Sequence, residues 1–244
     1  MTKSSKPRAA AKFNAGRLLQ VVGELLITAG LLIGLFAFWQ VNINDDIAGA
    51  QLTEQAQQYQ PVSPTASPSE TPKNALVDVK AANKEGKVFA KLYIPALKKK
   101  WQSLVAQGTR WKVLNNLGVG HYMSTQWPGE VGNFAVAGHR GGFGGPFRNV
   151  HLIEAGDRAW VETNDGWYVY KYLDTKIVLP TDVGVIKKVP EFLPGAKKGG
   201  KYLTLTSCDP IFVNTHRIIV WFELEAVFPL DFGMPQDLKD LRGE

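Results

Sequence analysis

The single cysteine of the chain is its strongest candidate for covalent chemistry. Cys208 follows the apolar run KYLTLTS, residues 201–207, and stands nine residues before Arg217. The thiolate of a cysteine is a nucleophile, and a neighbouring cation favours the thiolate over the thiol. A lone cysteine outside the cytoplasm has no partner for an internal disulfide, which leaves a reactive thiol or an intermolecular pair.

Two further side chains have the chemistry that a thiol nucleophile requires. His139 follows the apolar run NFAVAG and precedes a glycine-rich segment, and Arg217 lies near the start of the next apolar run after Cys208. An imidazole can transfer protons, and a guanidinium can stabilise the negative charge that develops on an attacked carbonyl oxygen. If these runs are neighbouring strands, all three side chains lie at one rim of a sheet, although spacing alone does not establish this.

Each candidate also has a plainer interpretation. Cys208 alone is more often a small buried apolar residue, and Arg217 alone is often a surface ion pair. The other histidines are rival bases. His216 adjoins Arg217 and should point to the opposite face of its strand, and His151 lies in a segment typical of loops. His121 is the strongest rival.

The elements that must position these residues are predominantly β. Eight apolar runs broken by glycine and proline, without long helical crossovers, predict an antiparallel-rich barrel that is closed or nearly closed. The runs are KVFAKLYIPAL, WQSLVAQG, GHYM, NFAVAG, RAWVET, WYVYKYLDTKIVL, KYLTLTS and HRIIVWFELEAVF. Tyr168, Tyr170 and Tyr172 should share one face of their strand. The segment RWKVLNNLG predicts a short helix that ends at Gly118.

The N-terminus predicts a membrane anchor. Residues 1–17 are basic and lack acids, and residues 18–41 form an apolar run whose one charge is Glu24. The run is long enough to span a bilayer, and the basic flank should remain in the cytoplasm. Residues 1–41 carry five basic residues and one acid, so only +2 of the net charge of +6 belongs to the rest of the chain. Nucleic-acid binding is therefore not indicated.

This pattern divides the chain into five parts. They are a cytoplasmic basic segment at 1–17, a single transmembrane anchor at 18–41, a polar and Pro/Ser/Thr-rich extracellular linker at 42–86, a catalytic barrel at 87–230 and a tail at 231–244. The first part of the linker has some helical character, and PVSPTASPSETPK should be extended. The tail is expected to be peripheral.

Three separated motifs together resemble the sortases, which are membrane-anchored cysteine transpeptidases of mostly Gram-positive bacteria. The motifs are PGEVGNFAVAGHR, TLTSC and the arginine that opens the following strand. The resemblance covers roughly residues 86–228 and implies an eight-stranded sortase-like barrel with short helices. It also implies that His139, Cys208 and Arg217 are the catalytic residues, that Thr206 and Ser207 contribute to substrate binding, and that no cofactor or metal is used.

The stretch GVGHYMSTQWPGEVGNFAVAGHR most resembles the class E sortases of actinobacteria. In that class a tyrosine in a GHY segment is associated with alanine at the second position of the sorting signal, so Tyr122 is expected to contact substrate. Ser207 stands where the family more often has threonine, and Val119 and Met123 stand where many class E members have proline. Tyr122 as barrel packing remains an equal alternative.

The resemblance implies cleavage of an LAxTG or LPxTG signal between Thr and Gly through a thioester, followed by transfer of the surface protein to an amine of a cell-wall precursor. The expected partners are therefore surface proteins that carry sorting signals, a peptidoglycan precursor, and the membrane. Two alternatives stay open: a pilin-polymerising sortase or surface cysteine hydrolase, and a non-catalytic surface binding domain.

Overall fold

The computed structural model describes residues 15–61, residue 78 and residues 82–244. Residues 1–14 of the predicted basic segment and residues 62–77 and 79–81 of the predicted linker lie outside the described residues. The chain divides into two compact units, Met1–Ile43 and Asn44–Glu244.

The first unit contains one long apolar helix. Helix α1 comprises Ala15–Phe38 and is followed by a π-helical turn at Trp39–Ile43. Gly16–Phe38 has a mean hydropathy of 2.2, and none of its most apolar stretch is buried against protein. By length and composition, this helix is able to cross a membrane.

The second unit is a closed barrel of eight strands, which confirms the predicted fold class. The strands are β1 Val88–Tyr93, β2 Gln102–Gln107, β3 Val119–His121, β4 Gly132–Gly138, β5 Arg158–Thr163, β6 Gly166–Val178, β7 Lys201–Asp209 and β8 His216–Phe228. They are ordered β1-β2-β3-β4-β7-β8-β6-β5, and β5 closes on β1. The pairs β2–β3 and β4–β7 are parallel and the others are antiparallel.

Alternating side chains of these strands fill the barrel. Phe134 and Val136 of β4, Leu203 and Leu205 of β7, and Val220 and Phe222 of β8 all belong to the main buried cluster. The predicted tyrosine face of β6 is confirmed, because Tyr170 is buried in this cluster and Tyr168 and Tyr172 pack against it. A substantial apolar core therefore supports the strand ends.

In the part of the chain that the structure describes, three α-helices accompany the barrel. Helix α2 comprises Asn44–Gln58, α3 comprises Trp111–Leu117 and α4 comprises Gln236–Arg242. Helix α3 is the predicted short helix, and it ends at Gly118, whose φ of 89° disfavours a residue with a Cβ. Short 3-10 turns occur at Val150–Leu152, Val183–Ile186 and Leu230–Phe232.

Two segments pack more closely than their sequences suggest. Helix α2 begins the polar region that is expected to be a linker, yet its Ala56 is fully buried against Leu104 and Val113. The C-terminal residues are not peripheral, because Leu238 is fully buried beside Trp160 and its neighbours. In both segments few of the contact residues are large and apolar, so no apolar pattern in the sequence marks them.

Candidate active site

The β7–β8 ladder places the cysteine opposite the arginine. Cys208 pairs in register with Arg217, and both residues are half-buried. Residues directly opposite on antiparallel strands have Cβ atoms about 4.5–5.5 Å apart on the same face of the sheet. The Arg217 Nη1 donates to the carbonyls of Asn214 and His216, at 3.1 and 2.8 Å, so the guanidinium is held against the β7–β8 loop.

The parallel β4–β7 pair brings the histidine to the same rim. The ladder runs to the pair Ala137–Thr206, and the Ser207 hydroxyl donates to the Gly138 carbonyl at 2.8 Å. His139 is the next residue after Gly138, and Cys208 is the next after Ser207. The structure thus gathers the three strand ends that carry His139, Cys208 and Arg217.

His139 is half-buried and has a polar support on α3. Its Nε2 lies 2.8 Å from the Asn115 Oδ1, and its ring lies 5.0 Å from the ring of Phe143. Burial lowers the pKa of His139 below its usual value, and the negative charge of Asp45 partly opposes this effect. The neutral imidazole is therefore favoured near neutral pH, and an amide oxygen at Nε2 favours the tautomer that carries its proton there.

An ion pair joins the ends of β4 and β7. The Arg140 guanidinium pairs with the Asp209 carboxylate, and its Nη1 also donates to the Cys208 carbonyl at 3.4 Å. Both charged side chains are largely buried. Arg140 therefore fixes the backbone beside the nucleophile.

The three expected substrate-binding residues differ in their surroundings. Tyr122 Oη lies 3.0 Å from Thr206 Oγ1, and Thr206 shares a face of β7 with Cys208, because strand side chains alternate. The Tyr122 hydroxyl is therefore placed on the side of the sheet that carries the thiol. Ser207 is buried on the other face, where its hydroxyl bonds to Gly138.

The rival histidines have different environments. His121 is fully buried, with Nδ1 2.6 Å from Gln107 Oε1 and Nε2 3.0 Å from Thr125 Oγ1. Burial lowers the pKa of His121 to about 4. It is a neutral core residue with both ring nitrogens in hydrogen bonds. His151 is exposed, and His216 contacts Thr215.

Sequence reasoning missed two residues around His139. Asn115 is one of two adjacent asparagines in a short helix, and Asp45 lies in the polar region before the barrel. Neither residue lies in a recognisable motif. Each comes near His139 only because its helix packs against the barrel. Among the residues that the structure describes, no three His, Cys, Asp or Glu side chains are grouped so as to hold a metal ion.

The family model described as the sortase domain matches residues 92–225, which contain all three rim residues. The chain belongs to the sortase family. It is 36% identical to Sortase SrtE2 of Streptomyces coelicolor over 240 residues, covering 93% of this chain and 90% of that protein. It is 34% identical to Sortase SrtE1 of the same organism over 226 residues, covering 90% of this chain and 60% of that protein.

Solved structures agree with this assignment. The sortase E structure from Streptomyces avermitilis is 41% identical and has a TM-score of 0.58, covering 64% of this chain and 99% of that one. Sortase E1 from Streptomyces coelicolor, solved with a tripeptide in its active site, is 37% identical with a TM-score of 0.58, covering 62% and 96%. The chain is thus a sortase-type transpeptidase of class E, and its N-terminal apolar helix is consistent with the membrane association of sortases.

Proposed function

We propose that this sortase cleaves an LAxTG- or LPxTG-type sorting signal between Thr and Gly and transfers the new carboxyl end to an amine of a cell-wall precursor. The observation that carries the proposal is the register of Cys208 opposite Arg217, at the rim where β4 ends one residue before His139. A nucleophile, a proton-transfer group and a fixed cation at one rim are what acyl transfer needs.

In the first step the Cys208 thiolate attacks the carbonyl carbon of the Thr–Gly bond. The carbonyl oxygen becomes an oxyanion, and the neighbouring Arg217 guanidinium stabilises it. His139 in its protonated form donates a proton to the glycine nitrogen, which leaves as an amine. The product is a thioester between Cys208 and the threonine carbonyl.

In the second step an amine of the cell-wall precursor attacks this thioester. His139 is now neutral and accepts the proton of the attacking amine, so that the Cys208 thiolate leaves and an amide forms. The burial that lowers the pKa of His139 favours this neutral form, whereas the Asp45 charge favours the protonated form of the first step. Burial is the larger of the two effects, so the neutral form predominates and the Asp45 charge makes protonation for the first step less costly.

Tyr122 and Thr206 are the residues proposed to recognise the signal beside the scissile bond. Their hydroxyls are 3.0 Å apart, and Thr206 is two residues from Cys208 on the same strand face. A hydroxyl pair at this position can hydrogen-bond the peptide backbone of a bound signal. Comparison of LAxTG and LPxTG peptides decides which residue is accepted at the second position of the signal.

The proposed topology places the basic N-terminus in the cytoplasm, one membrane span at α1, and the barrel outside the cell. The apolar length of α1 and the basic residues before it support this orientation. Surface proteins with sorting signals and the precursor amine are then accessible to the barrel.

The test uses the compact unit 44–244 beside its Cys208→Ala variant. Each is incubated with LAxTG and LPxTG peptides, with and without an amine acceptor, and the products are analysed by mass spectrometry. We expect cleavage between Thr and Gly by the unsubstituted unit, transfer to the amine, and no reaction by Cys208→Ala. If the same hydrolysis product forms with and without the amine, the enzyme is a hydrolase instead.

Two further outcomes separate the remaining alternatives. Transfer only to a lysine side chain of a protein would indicate a pilin polymerase. Absence of any cleavage or adduct, with identical behaviour of the alanine variant, would leave a binding domain.

A further inference from the structure

A buried carboxylate of helix α2 reaches the loop that follows His139. The Asp45 side chain is 5% exposed. Its Oδ2 accepts from the Gly142 N–H at 2.8 Å, its Oδ1 accepts from the Gly144 N–H at 3.2 Å, and the Arg148 guanidinium pairs with it. One acid thus satisfies two backbone amides and one cation of the same loop.

The loop is shaped to receive this carboxylate. Four consecutive residues, 142–145, have positive φ angles of 77°, 52°, 78° and 42°. In this conformation the Gly142 and Gly144 N–H groups both donate to the same carboxylate. Phe143 lies in this stretch and contacts the His139 ring, so the position of the loop bears directly on the imidazole.

Helix α2 and the loop touch through their backbones. A Cβ on Gly49 would lie 2.9 Å from the Gly144 carbonyl oxygen, and a Cβ on Gly144 would lie 2.8 Å from the Gly49 nitrogen. Both separations are shorter than real side chains allow. Glycine at both positions is therefore what permits this docking.

The other end of α2 packs against the second support of His139. Ala56 is buried with Val113 of α3, and Leu52 lies beside Gly118, where α3 ends. Helix α3 carries Asn115, whose Oδ1 lies 2.8 Å from His139 Nε2. The same helix α2 therefore contacts both the loop and the helix that hold the imidazole.

We propose that Asp45 is a positioning residue for His139, and that helix α2 belongs to the catalytic module rather than to a linker. The inference rests on the proposed role of His139 in acyl transfer. Asp45 acts through the 142–145 loop, which it holds in one conformation, and through its charge, which favours the protonated imidazole.

The elements next to His139 carry several charged or titratable groups. They are Arg140 and Arg148 on its own connecting segment, Cys208 and Asp209 on β7, Arg217 on β8, and Asp45 on α2. Arg140 pairs with Asp209, and the charge of Asp45 raises the pKa of His139 against the larger effect of burial. Removal of its charge should leave the imidazole harder to protonate.

The kinetic test uses the full chain in lipid nanodiscs with Asp45→Ala, Asp45→Asn and the control Asp46→Ala. Asp46 is the exposed neighbour in the same first turn, so its loss has the same effect on the helix dipole. Because the hydrogen bonds of Asp45 are charge-assisted, their loss in Asp45→Ala should lower kcat about 10- to 100-fold, with little change in KM. Asp45→Asn keeps an acceptor oxygen and should recover part of this loss, and Asp46→Ala should match the unsubstituted chain.

Two readouts do not depend on turnover. Amide hydrogen exchange in the peptide spanning 139–148 should accelerate in Asp45→Ala and not in Asp46→Ala. The chain has four histidines, so NMR of ¹³C-labelled imidazoles can follow His139, whose pKa should be lower in Asp45→Asn. Unchanged kcat, exchange and His139 pKa in the Asp45 variants would overturn the proposal. If the unsubstituted chain cleaves no signal peptide, the proposed function is contradicted. The role of Asp45 is still decided by amide hydrogen exchange and by the NMR titration of His139.

Discussion

Two groups of charged and polar side chains lie at opposite ends of the β6–β8 ladder. One end pairs Val178 with Arg217 and carries the active-site rim, and the other pairs Trp167 with Phe228. Near the second end, Glu162 is buried, accepting from Tyr93 Oη at 2.6 Å and pairing with Lys91 Nζ at 2.7 Å. Burial and the Glu162 charge raise the pKa of Tyr93 well above its usual value.

The difference lies in what the polar groups contact. At the Glu162 end the polar groups contact one another inside the protein, and Arg242 of the C-terminal helix lies over the Tyr93 ring at 5.2 Å. At the rim, Cys208, His139 and Arg217 stay half-buried. Asn115 hydrogen-bonds His139, and Asp45 binds the loop that follows His139. Stability and catalysis should therefore respond to substitutions at different ends of one barrel.

The largest expected effect is on activity at the rim. His139→Ala should lower kcat/KM by about 10²- to 10⁴-fold, because a proton-transfer group is removed from both steps. Urea unfolding of the unit 44–244 should change little, since the side chain is half-buried at the surface. His151→Ala, at an exposed histidine, is the control and should retain full activity. A large loss of stability in His139→Ala would contradict the proposal that the rim serves catalysis and the opposite end serves stability.

The next effect is on stability at the opposite end. Glu162→Gln leaves Lys91 buried without a negative partner, and losing one member of a buried ion pair costs about 3–5 kcal/mol. Urea unfolding should show this loss, and the activity of the folded fraction should be unchanged. The matched control is Glu225→Gln, which breaks the more exposed pair with Arg158 and should cost less than about 1 kcal/mol. Equal costs for both variants would contradict the account of the buried network.

The pH dependence of stability should report His121. Its pKa is about 4 in the folded chain, below the value of 6.5 expected when unfolded. Between these values the unfolded chain binds a proton that the folded chain does not, so stability is lost as pH falls from 6.5 towards 4. The difference corresponds to about 3 kcal/mol. Urea unfolding at pH 7 and at pH 4.5 measures this loss of stability. The difference in unfolding free energy between the two pH values should be smaller in His121→Gln and unchanged in His151→Gln.

The smallest effect concerns the support of the imidazole. Asn115→Ala removes one hydrogen bond to His139, which is worth roughly 1 kcal/mol, so kcat/KM should fall about fivefold. Asn116→Ala, at the exposed neighbour in the same helix, should have no effect. If both variants behave alike, α3 does not orient the imidazole.

The sequence predicts the barrel well, because each strand has its own apolar run and the turns carry glycine or proline. It also indicates which side chains stand at strand ends, since KYLTLTS, NFAVAG and HRIIV each border a reactive residue. The resemblance of three motifs to the sortases supplies the order in which these ends should meet.

The supports of the site are not predictable in the same way. Asp45, Asn115 and Leu238 act through short helices packed on the barrel. The contact residues of α2, Asp45, Gly49, Leu52 and Ala56, recur at helical spacing, but their mixed types give no apolar pattern. The polar composition of residues 44–58 favours a linker, although a buried alanine and a close glycine pair place the helix on the barrel. Such contacts become visible only when the partners are placed in space.

The most direct test of the account is the intact mass of the unit 44–244 after incubation with an LAxTG peptide in the absence of an amine. Unsubstituted protein should gain the mass of the acyl fragment up to threonine, and the adduct should map to Cys208 and disappear when a glycine amine is added. The Arg217→Lys variant should form the adduct more slowly, because a point charge replaces a planar donor. Protein that gains no mass, or gains it equally in Cys208→Ala, would contradict the central claim that this rim performs acyl transfer through its cysteine.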